Sequence, residues 1–253
     1  MIPEYPTPQL SVQLRNLWKL AFGDDDVFLD HFFSTGFSPE RCRCMVDGEK
    51  LAAAVYWFDC EYQGETYAYL YALATHPDFR HQGIAHYLLA DTHQLLTGLG
   101  YAGTLLVPGS EELRQLYTSV GYETCTGISD LFCASQPVTV PIHAVDQQEY
   151  SQLRKQYLPG NGVLQEGACL QFLQTQAKFY TGPGFVLCAA PESPELIRGI
   201  EFLGDPAQLP GILCALGYAH GTFRIPGDRI PFAMLHPLKK DAPVPGYLGL
   251  ALD

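Results

Sequence analysis

The residues best suited to chemistry lie at one junction, residues 73–85, which reads L-A-T-H-P-D-F-R-H-Q-G-I-A. A strand-like run ends at Thr75, a proline-containing turn follows, and a helix-like pattern begins after Gly83. Such a junction directs free backbone N–H groups and the positive end of a helix dipole at one point. The stretch from Arg80 to Ala85 fits R-x-x-G-x-A, whose small residues let a ligand approach the backbone closely. The pattern predicts an anion-binding site; the alternative is a plain turn with a solvated arginine.

Two common nucleotide sites are excluded by what the junction lacks. It has no lysine followed by Ser or Thr to complete G-x-x-x-x-G-K-[ST], and it has no G-x-G-x-x-G. The formal net charge of −12 argues against nucleic acid as a partner, because phosphates call for a basic face. The same charge is compatible with a cationic substrate.

The elements around the junction predict a domain that mixes helices and strands. Turn signals at residues 47–48 and 62–64 separate strand-like runs, which we expect to form an antiparallel meander that ends at Thr75. The amphipathic helix after Gly83 leads to a short apolar strand at residues 103–107. A strand–helix–strand unit of this kind is a crossover, so the strands on either side of the helix should be parallel.

A second helix is predicted to follow this crossover. Ser110 is placed to cap it, Leu113 and Tyr117 belong to its expected buried face, and Gly121 ends it. We expect residues 122–132 to form one more strand.

The pattern of helix-like and strand-like segments is interrupted around Ser135-Gln136-Pro137. We place a domain boundary there, between residues 1–136 and 137–253. The second part repeats the order helix, strand, strand, helix, strand. Both parts have an early helix with S-x-Q-L-R (residues 11–15) or S-Q-L-R (residues 151–154). These similarities in element order and in sequence suggest a degenerate tandem duplication.

Three segments in register resemble the GNAT family of acyl-CoA-dependent N-acetyltransferases. Residues 73–77 leading into 80–85 are similar to the family's L-x-V-x-P-x-x-[RQ]-x-x-G-x-[GA], with Thr75 in place of the valine. The helix and strand that follow are the second match, and residues 116–122 (L-Y-T-S-V-G-Y) look like the family's F-Y-x-x-x-G-F. The resemblance implies an α/β GNAT fold, with a mixed, mostly antiparallel sheet and a central parallel βαβ crossover. A second, smaller GNAT-like α/β lobe would follow it.

The resemblance also implies a binding site for acetyl-CoA. The main chain of residues 73–75 would pair with the pantetheine arm like an extra strand. The backbone N–H groups of residues 81–85 would hold the CoA pyrophosphate, with Arg80 shaping the loop and adding charge. The cofactor-binding residues implied in this way are Leu73, Ala74, Thr75, Arg80, His81, Gln82, Gly83, Ile84 and Ala85.

Tyr117 matches the family's usual general acid, which protonates the departing CoA thiolate. Its alternative role is that of a core aromatic on the buried face of its helix. The sequence does not identify the general base. Glu61, Glu65, Tyr71 and His76 are candidates near the junction in the sequence. In many family members a water chain serves as the base instead.

The chain departs from the family's pattern in its second part. Asp205-Pro206-Ala207-Gln208 stands where a duplicated cofactor loop would fall, and Asp205 would repel phosphate. We therefore interpret residues 137–253 as a GNAT-like domain without the cofactor loop. It would bury the surface of the first lobe, wall the acceptor pocket or form a homodimer contact.

The hypothesis from the sequence is a cytoplasmic N-acetyltransferase that transfers an acetyl group from acetyl-CoA directly to a primary amine. The acceptor would be a small molecule or a peptide. The rival hypothesis is a non-catalytic acyl-CoA-binding sensor or interaction module. We expect no membrane partner and no signal peptide, since neither apolar pattern is present. The eight cysteines lack zinc spacing, so we expect no metal and reduced thiols.

Overall fold

The computed structural model of the chain describes residues 1–252. The chain divides into two compact units, and both are discontinuous in sequence. The first unit combines Met1–Glu123 with Gly167–Phe172 and Leu235–Pro243; the second combines Thr124–Glu166 with Leu173–Met234 and the residues from Val244 onward. The division into residues 1–136 and 137–253 as domains stays a prediction.

The elements up to residue 124 alternate between strands and helices. In chain order they are β1 (Pro3–Glu4), α1 (Ser11–Phe22), α2 (Asp26–His31), β2 (Cys42–Asp47), β3 (Lys50–Tyr62), β4 (Glu65–Thr75), α3 (Ile84–Gly98), β5 (Gly103–Leu106), α4 (Glu111–Ser119) and β6 (Glu123–Thr124).

The elements after residue 124 follow a similar alternation. They are β7 (Gly127–Ala134), β8 (His143–Val145), α5 (Gln147–Tyr157), β9 (Leu164–Gln165), α6 (Ala168–Gln176), β10 (Lys178–Gly182), β11 (Phe185–Pro191), β12 (Leu196–Leu203), α7 (Leu209–Leu216), β13 (His220–Pro226), β14 (Ile230–Pro231) and β15 (Met234–Pro237).

The first unit has the predicted meander and crossover. Strands β2, β3 and β4 pair antiparallel, while β4 and β5 pair parallel across α3. Strand β3 is buried on both faces along most of its length, which fits its run of Ala, Val and aromatic residues. Helix α3 buries Ile84, Leu88 and Leu96 on one face. The prediction of an α/β fold with a mixed sheet and a central parallel crossover is confirmed.

The single strand predicted over residues 122–132 is wrong. It is divided into β6 and β7, because the N–H groups of Cys125 and Thr126 both donate to the carbonyl of Ala233 and interrupt the extended run. Strand β7 continues in the sheet of the second unit, where it pairs with β13.

The two sheets share one strand order. The first is ordered β1-β2-β3-β4-β5-β15-β6, and the second, read in the matching direction, β8-β10-β11-β12-β13-β7-β14. In each sheet the strand beside the crossover comes from a distant part of the chain, β15 in the first and β7 in the second. The repeated order is what the duplication hypothesis predicts. Within residues 1–252, no helix is both long enough and apolar enough to cross a membrane.

Candidate active site

Strands β4 and β5 diverge at the point where the junction begins. They pair in parallel over Tyr67–Tyr69 and Gly103–Leu105, but β4 continues to Thr75. A register shift between β3 and β4 accompanies the divergence, and Ala72 lies there with a positive φ of 53°. Such a bulge bends a strand away from its neighbour. The last residues of β4 therefore border an open edge rather than a paired one.

The hydrogen bonds between β3 and β4 determine which backbone groups face this open edge. The N–H of His76 donates to the carbonyl of Ala52 on β3 at 2.8 Å, and Thr75 lies opposite Ala53. Because backbone groups alternate between the two edges of a strand, the N–H and carbonyl of Thr75 point away from β3. The N–H of Thr75 is therefore on the side where an extended ligand could pair, while its carbonyl already accepts from Arg80.

The loop after β4 is held by its own side chains. The Nε of Arg80 donates to the carbonyl of Thr75 at 3.1 Å, and the Nε2 of Gln82 donates to the carbonyl of Asp78 at 3.0 Å. The Nδ1 of His76 accepts from the N–H of Asp78 at 3.3 Å. Arg80 and Gln82 thus shape the loop while most of each side chain stays exposed.

Helix α3 begins without a side-chain cap. Its N-cap is Gly83 at φ 75°, and a Cβ at this position would have no atom within 4 Å. His81 also has a positive φ, 61°, a conformation that costs a non-glycine residue energy and is often found at functional sites. Ile84 is buried and anchors the helix, whereas Ala85 is half-buried. The uncapped first-turn N–H groups face open space, the arrangement that binds anions.

A nearby carboxylate does not cancel this positive potential. Lys50 forms an ion pair with Asp78, and its hydrogen bond and charge hold the pKa of that carboxyl below its usual range. The Lys50 ammonium also lies 5.6 Å from the ring centroid of Phe79. The pair gave no clear signal in the sequence, because residues 50 and 78 come from different elements.

Tyr117 lies on α4, the helix that follows β5. Ser110 caps this helix as predicted, accepting from the N–H of Leu113 at 3.2 Å. Tyr117 is buried, and burial raises the pKa of its phenol to about 12. The prediction that Leu113 is also buried is wrong, since the first turn of α4 is exposed. The structure brings residues 73–85 together at one junction and places Tyr117 in the same unit.

The residues considered as general base have varied surroundings. Glu65 forms an ion pair with Lys239 at 2.5 Å, and Glu61 is exposed. Tyr71 belongs to an aromatic cluster, with its ring centroid 5.5 Å from that of Trp18. Sequence reasoning missed the positive φ of Ala72, because alanine carries no local signal for that conformation.

The corresponding junction of the second unit is built differently. Strands β12 and β13 also diverge after a short parallel pairing, over Leu196–Gly199 and His220–Phe223. The turn Pro206–Gln208 then leads directly into α7, without a counterpart of residues 80–83. Asp205 caps this turn by accepting from the N–H of Ala207 at 2.9 Å. The anion-binding features of the first junction are therefore missing here.

The described part of the chain has a surface hollow that lies apart from the junction. This hollow of about 370 Å³ lies beside α3, where Arg43 and Asp91 form an ion pair at 2.6 Å, and it contains none of the predicted site residues. Among residues 1–252, no group of three or more His, Cys, Asp or Glu side chains could hold a metal ion.

Comparisons with solved structures give the fold class. The chain is similar to a GCN5-related N-acetyltransferase from Kribbella flavida, with a TM-score of 0.71, 10% identity and coverage of 92% of this chain and 70% of that one. It is also similar to Eis1 from Mycobacterium abscessus, with a TM-score of 0.70, 11% identity and coverage of 96% and 75%. A third similar structure is a GCN5-related N-acetyltransferase from Anabaena variabilis ATCC 29413, with a TM-score of 0.68, 15% identity and coverage of 94% of this chain and 73% of that one. At these identities the likeness establishes the fold.

A family model matches the sequence of most of the first unit. Residues 6–125 match the model of the acetyltransferase (GNAT) domain. No curated protein matches the chain. Residues 6–125 therefore form a GNAT acetyltransferase domain, and such a domain supports acyl transfer.

Proposed function

We propose that this protein is an acetyl-CoA-dependent N-acetyltransferase that transfers the acetyl group directly to a primary amine. The observation that carries the proposal is the junction at residues 73–85. An uncapped helix N-terminus there stands beside the open edge of β4. Anion binding by the first and strand-like pairing by the second are the two modes of contact that a CoA derivative requires.

The residues at the junction fit the diphosphate and pantetheine parts of CoA. The N–H groups of residues 81–85 would hold the diphosphate, and Gly83 leaves space for it because no atom lies near its missing Cβ. Arg80 is exposed and adds positive charge. The main chain of residues 73–75 would pair with the pantetheine arm. Bound acetyl-CoA supplies the activated acyl group, as a thioester.

Tyr117 is the proposed general acid. Its pKa of about 12 keeps the phenol protonated at neutral pH, so a proton is available for the thiolate that leaves when the carbon–sulfur bond breaks. Attack on the thioester carbonyl requires a neutral amine, so an ammonium acceptor must first lose a proton. The acceptor class we propose is a primary amine of a small molecule or peptide.

The proposed compartment is the cytoplasm. All eight cysteines are free thiols, and several of them are buried. Free thiols without disulfide partners fit a reducing compartment.

The first experiment tests turnover. CoA release from acetyl-CoA is measured across a panel of polyamines, amino acids, amine-containing antibiotics and peptide N-termini. Replacing Tyr117 by Phe should lower turnover roughly 10²-fold or more, while CoA binding measured by calorimetry stays unchanged. Tyr101→Phe is the matched control, because it removes a hydroxyl bound to Asp59 at 2.7 Å in the same unit. Binding of CoA without acetylation of any amine would favour the non-catalytic module instead.

The second experiment tests the binding site independently of turnover. Ala85→Glu places a carboxylate in the first turn of α3, where it should repel a diphosphate and weaken CoA binding roughly tenfold. The same charge favours the helix N-terminus, so loss of binding would not reflect unfolding. Gln94→Glu adds an equal charge farther along the same helix and serves as the control. Equal CoA affinity in the two variants would refute the assigned site.

A further inference from the structure

A hydrogen-bonded cluster lies at the end of α4, next to the proposed acid. The hydroxyl of Tyr122 lies 2.8 Å from the Nε2 of His93 on α3 and 2.7 Å from the Oγ1 of Thr104 on β5. Tyr122 and Thr104 are fully buried. One phenol therefore ties the chain that leaves α4 to a helix and to a central strand.

The Tyr122 hydroxyl, the Thr104 hydroxyl and the Nε2 of His93 all lie within hydrogen-bond distance of one another. His93 is neutral, because burial and the neighbouring His236 lower its pKa to about 3. A hydroxyl can donate to one partner and accept from the other, so Tyr122 bridges the imidazole and the threonine. His236 stacks on His93 with ring centroids 4.1 Å apart, and its Nδ1 lies 3.1 Å from the carbonyl of Gly121.

The cluster reaches Tyr117 through two direct contacts. The rings of Tyr117 and Tyr122 meet edge to face, with centroids 5.6 Å apart and an interplanar angle of 63°. The N–H of Tyr122 donates to the carbonyl of Tyr117 at 3.0 Å, across the turn at Gly121, whose φ is 89°. The orientation of one ring is thus linked to that of the other.

Tyr117 needs such an anchor because of its place in a short helix. It lies in the last turn of α4, which ends at Ser119. The last turn of a helix frays readily, and a short helix gains most of its stability from packing. Tyr122 is fully buried, so its hydroxyl is removed from water. A buried hydroxyl is retained at low cost only where partners bind it, as His93 and Thr104 do.

We propose that Tyr122, held by His93 and Thr104, is a positioning residue that fixes the phenol of Tyr117 for proton donation. This inference rests on the proposed function of Tyr117. Tyr122 does not touch the reacting atoms in this scheme; it sets the ring orientation of the residue that does.

The test begins with two variants that each remove one hydroxyl. Tyr122→Phe and Thr104→Val keep the shape of the side chain and break the same hydrogen bond. Each should lower kcat roughly tenfold and leave the KM for acetyl-CoA within about twofold, because misplacement of a catalytic group affects turnover more than binding. Tyr101→Phe, which loses the tyrosine hydroxyl that donates to Asp59 just beyond the C-terminal end of α3, should retain the wild-type kcat.

A double-mutant cycle separates positioning from general stability. In a Tyr117→Phe background, Tyr122→Phe should cause no further loss of kcat, since the phenol that it positions is gone. A purely structural role would lower kcat by the same factor in both backgrounds. The inference is overturned by equal factors, or by an unchanged kcat in Tyr122→Phe while Tyr117→Phe is impaired.

A structural readout keeps the inference separate from the proposed function. Crystal structures of the wild type and of Tyr122→Phe should show the Tyr117 hydroxyl displaced by more than about 0.5 Å, the tolerance of a functional site. An unmoved Tyr117 refutes the positioning role even if Tyr117→Phe abolishes turnover. A moved Tyr117 together with full activity of Tyr117→Phe supports the positioning and refutes the proposed acid.

Discussion

The neutral, half-buried His93 predicts a specific loss of stability in acid. Burial and the neighbouring His236 lower the pKa of His93 from 6.5 to about 3. In the unfolded chain the imidazole takes up a proton below pH 6.5, but in the folded chain it does so only near pH 3. The unfolded state binds more protons between these values, so the free energy of unfolding falls as the pH decreases through this window.

The size of the effect follows from the same two pKa values. A difference between 6.5 and about 3 corresponds to about 5 kcal/mol when the pH is below both. At pH 5 only part of this difference is expressed, and we expect a loss of about 2 kcal/mol relative to pH 7.5. That is a large share of the marginal stability typical of a domain.

The assay is urea unfolding at pH 7.5 and pH 5.0, followed by circular dichroism. His93→Gln keeps a polar group near the Tyr122 hydroxyl and removes the titration, so its stability should fall about 2 kcal/mol less than that of the wild type. His86→Gln, an exposed position on the same helix, should behave like the wild type. His236→Gln removes the neighbouring charge and should weaken the pH dependence. Parallel loss of stability in the wild type and His93→Gln would refute the reasoning.

Three further predictions concern other parts of the molecule. Calorimetry should give one CoA bound per chain, because the second junction lacks the anion-binding loop, and two bound would contradict this. Arg154→Met should cost about 3–5 kcal/mol in urea unfolding, since it leaves the buried carboxylate of Glu201 without its ion pair. With Tyr117 as acid, the alkaline limb of kcat should lie well above pH 10, and a limb below 10 that vanishes in Tyr117→Phe would contradict its raised pKa.

The local elements of the first unit could be predicted because each has its own signal. The Asp47-Gly48 turn fixed the β2–β3 hairpin, and the change from strand-like to helix-like periodicity at Gly83 marked the start of α3. Ser110 was predicted as a helix cap for the same reason. These features depend on neighbouring residues in the sequence, so a single sequence is enough to find them.

The exchange of β7 and β15 could not be predicted. Strand β7 has eight residues and β15 has four, and nothing local in either sequence distinguishes a partner in one sheet from a partner in the other. The cluster around Tyr122 could not be predicted either, because its partners are distant in the sequence. His93 lies on α3, 29 residues before Tyr122, and Thr104 lies on β5, 18 residues before it. Long-range pairing of this kind is decided by tertiary packing rather than by propensity.

The two units differ most at one equivalent position on the strand that borders the divergence. In β4, pairing with β3 resumes after the bulge at Ala74, which is small and uncharged. In β12, pairing with β11 resumes after the bulge at Glu201. This carboxylate is fully buried and accepts from Arg154 at 2.6 Å and from the hydroxyl of Tyr247 at 3.1 Å.

We expect this difference to restrict ligand binding to the first unit. A ligand at the second divergence would have to break a buried ion pair, which costs about 3–5 kcal/mol when one partner is left alone. It would also displace the C-terminal segment, because Arg224 donates to the carbonyl of Gly249 at 3.3 Å and Tyr247 is bound to Glu201. At the first divergence the corresponding edge carries Ala74 and an uncapped helix N-terminus. The same topology thus leaves an open strand edge in one unit, where we propose that the ligand binds, and a buried ion pair at the equivalent place in the other.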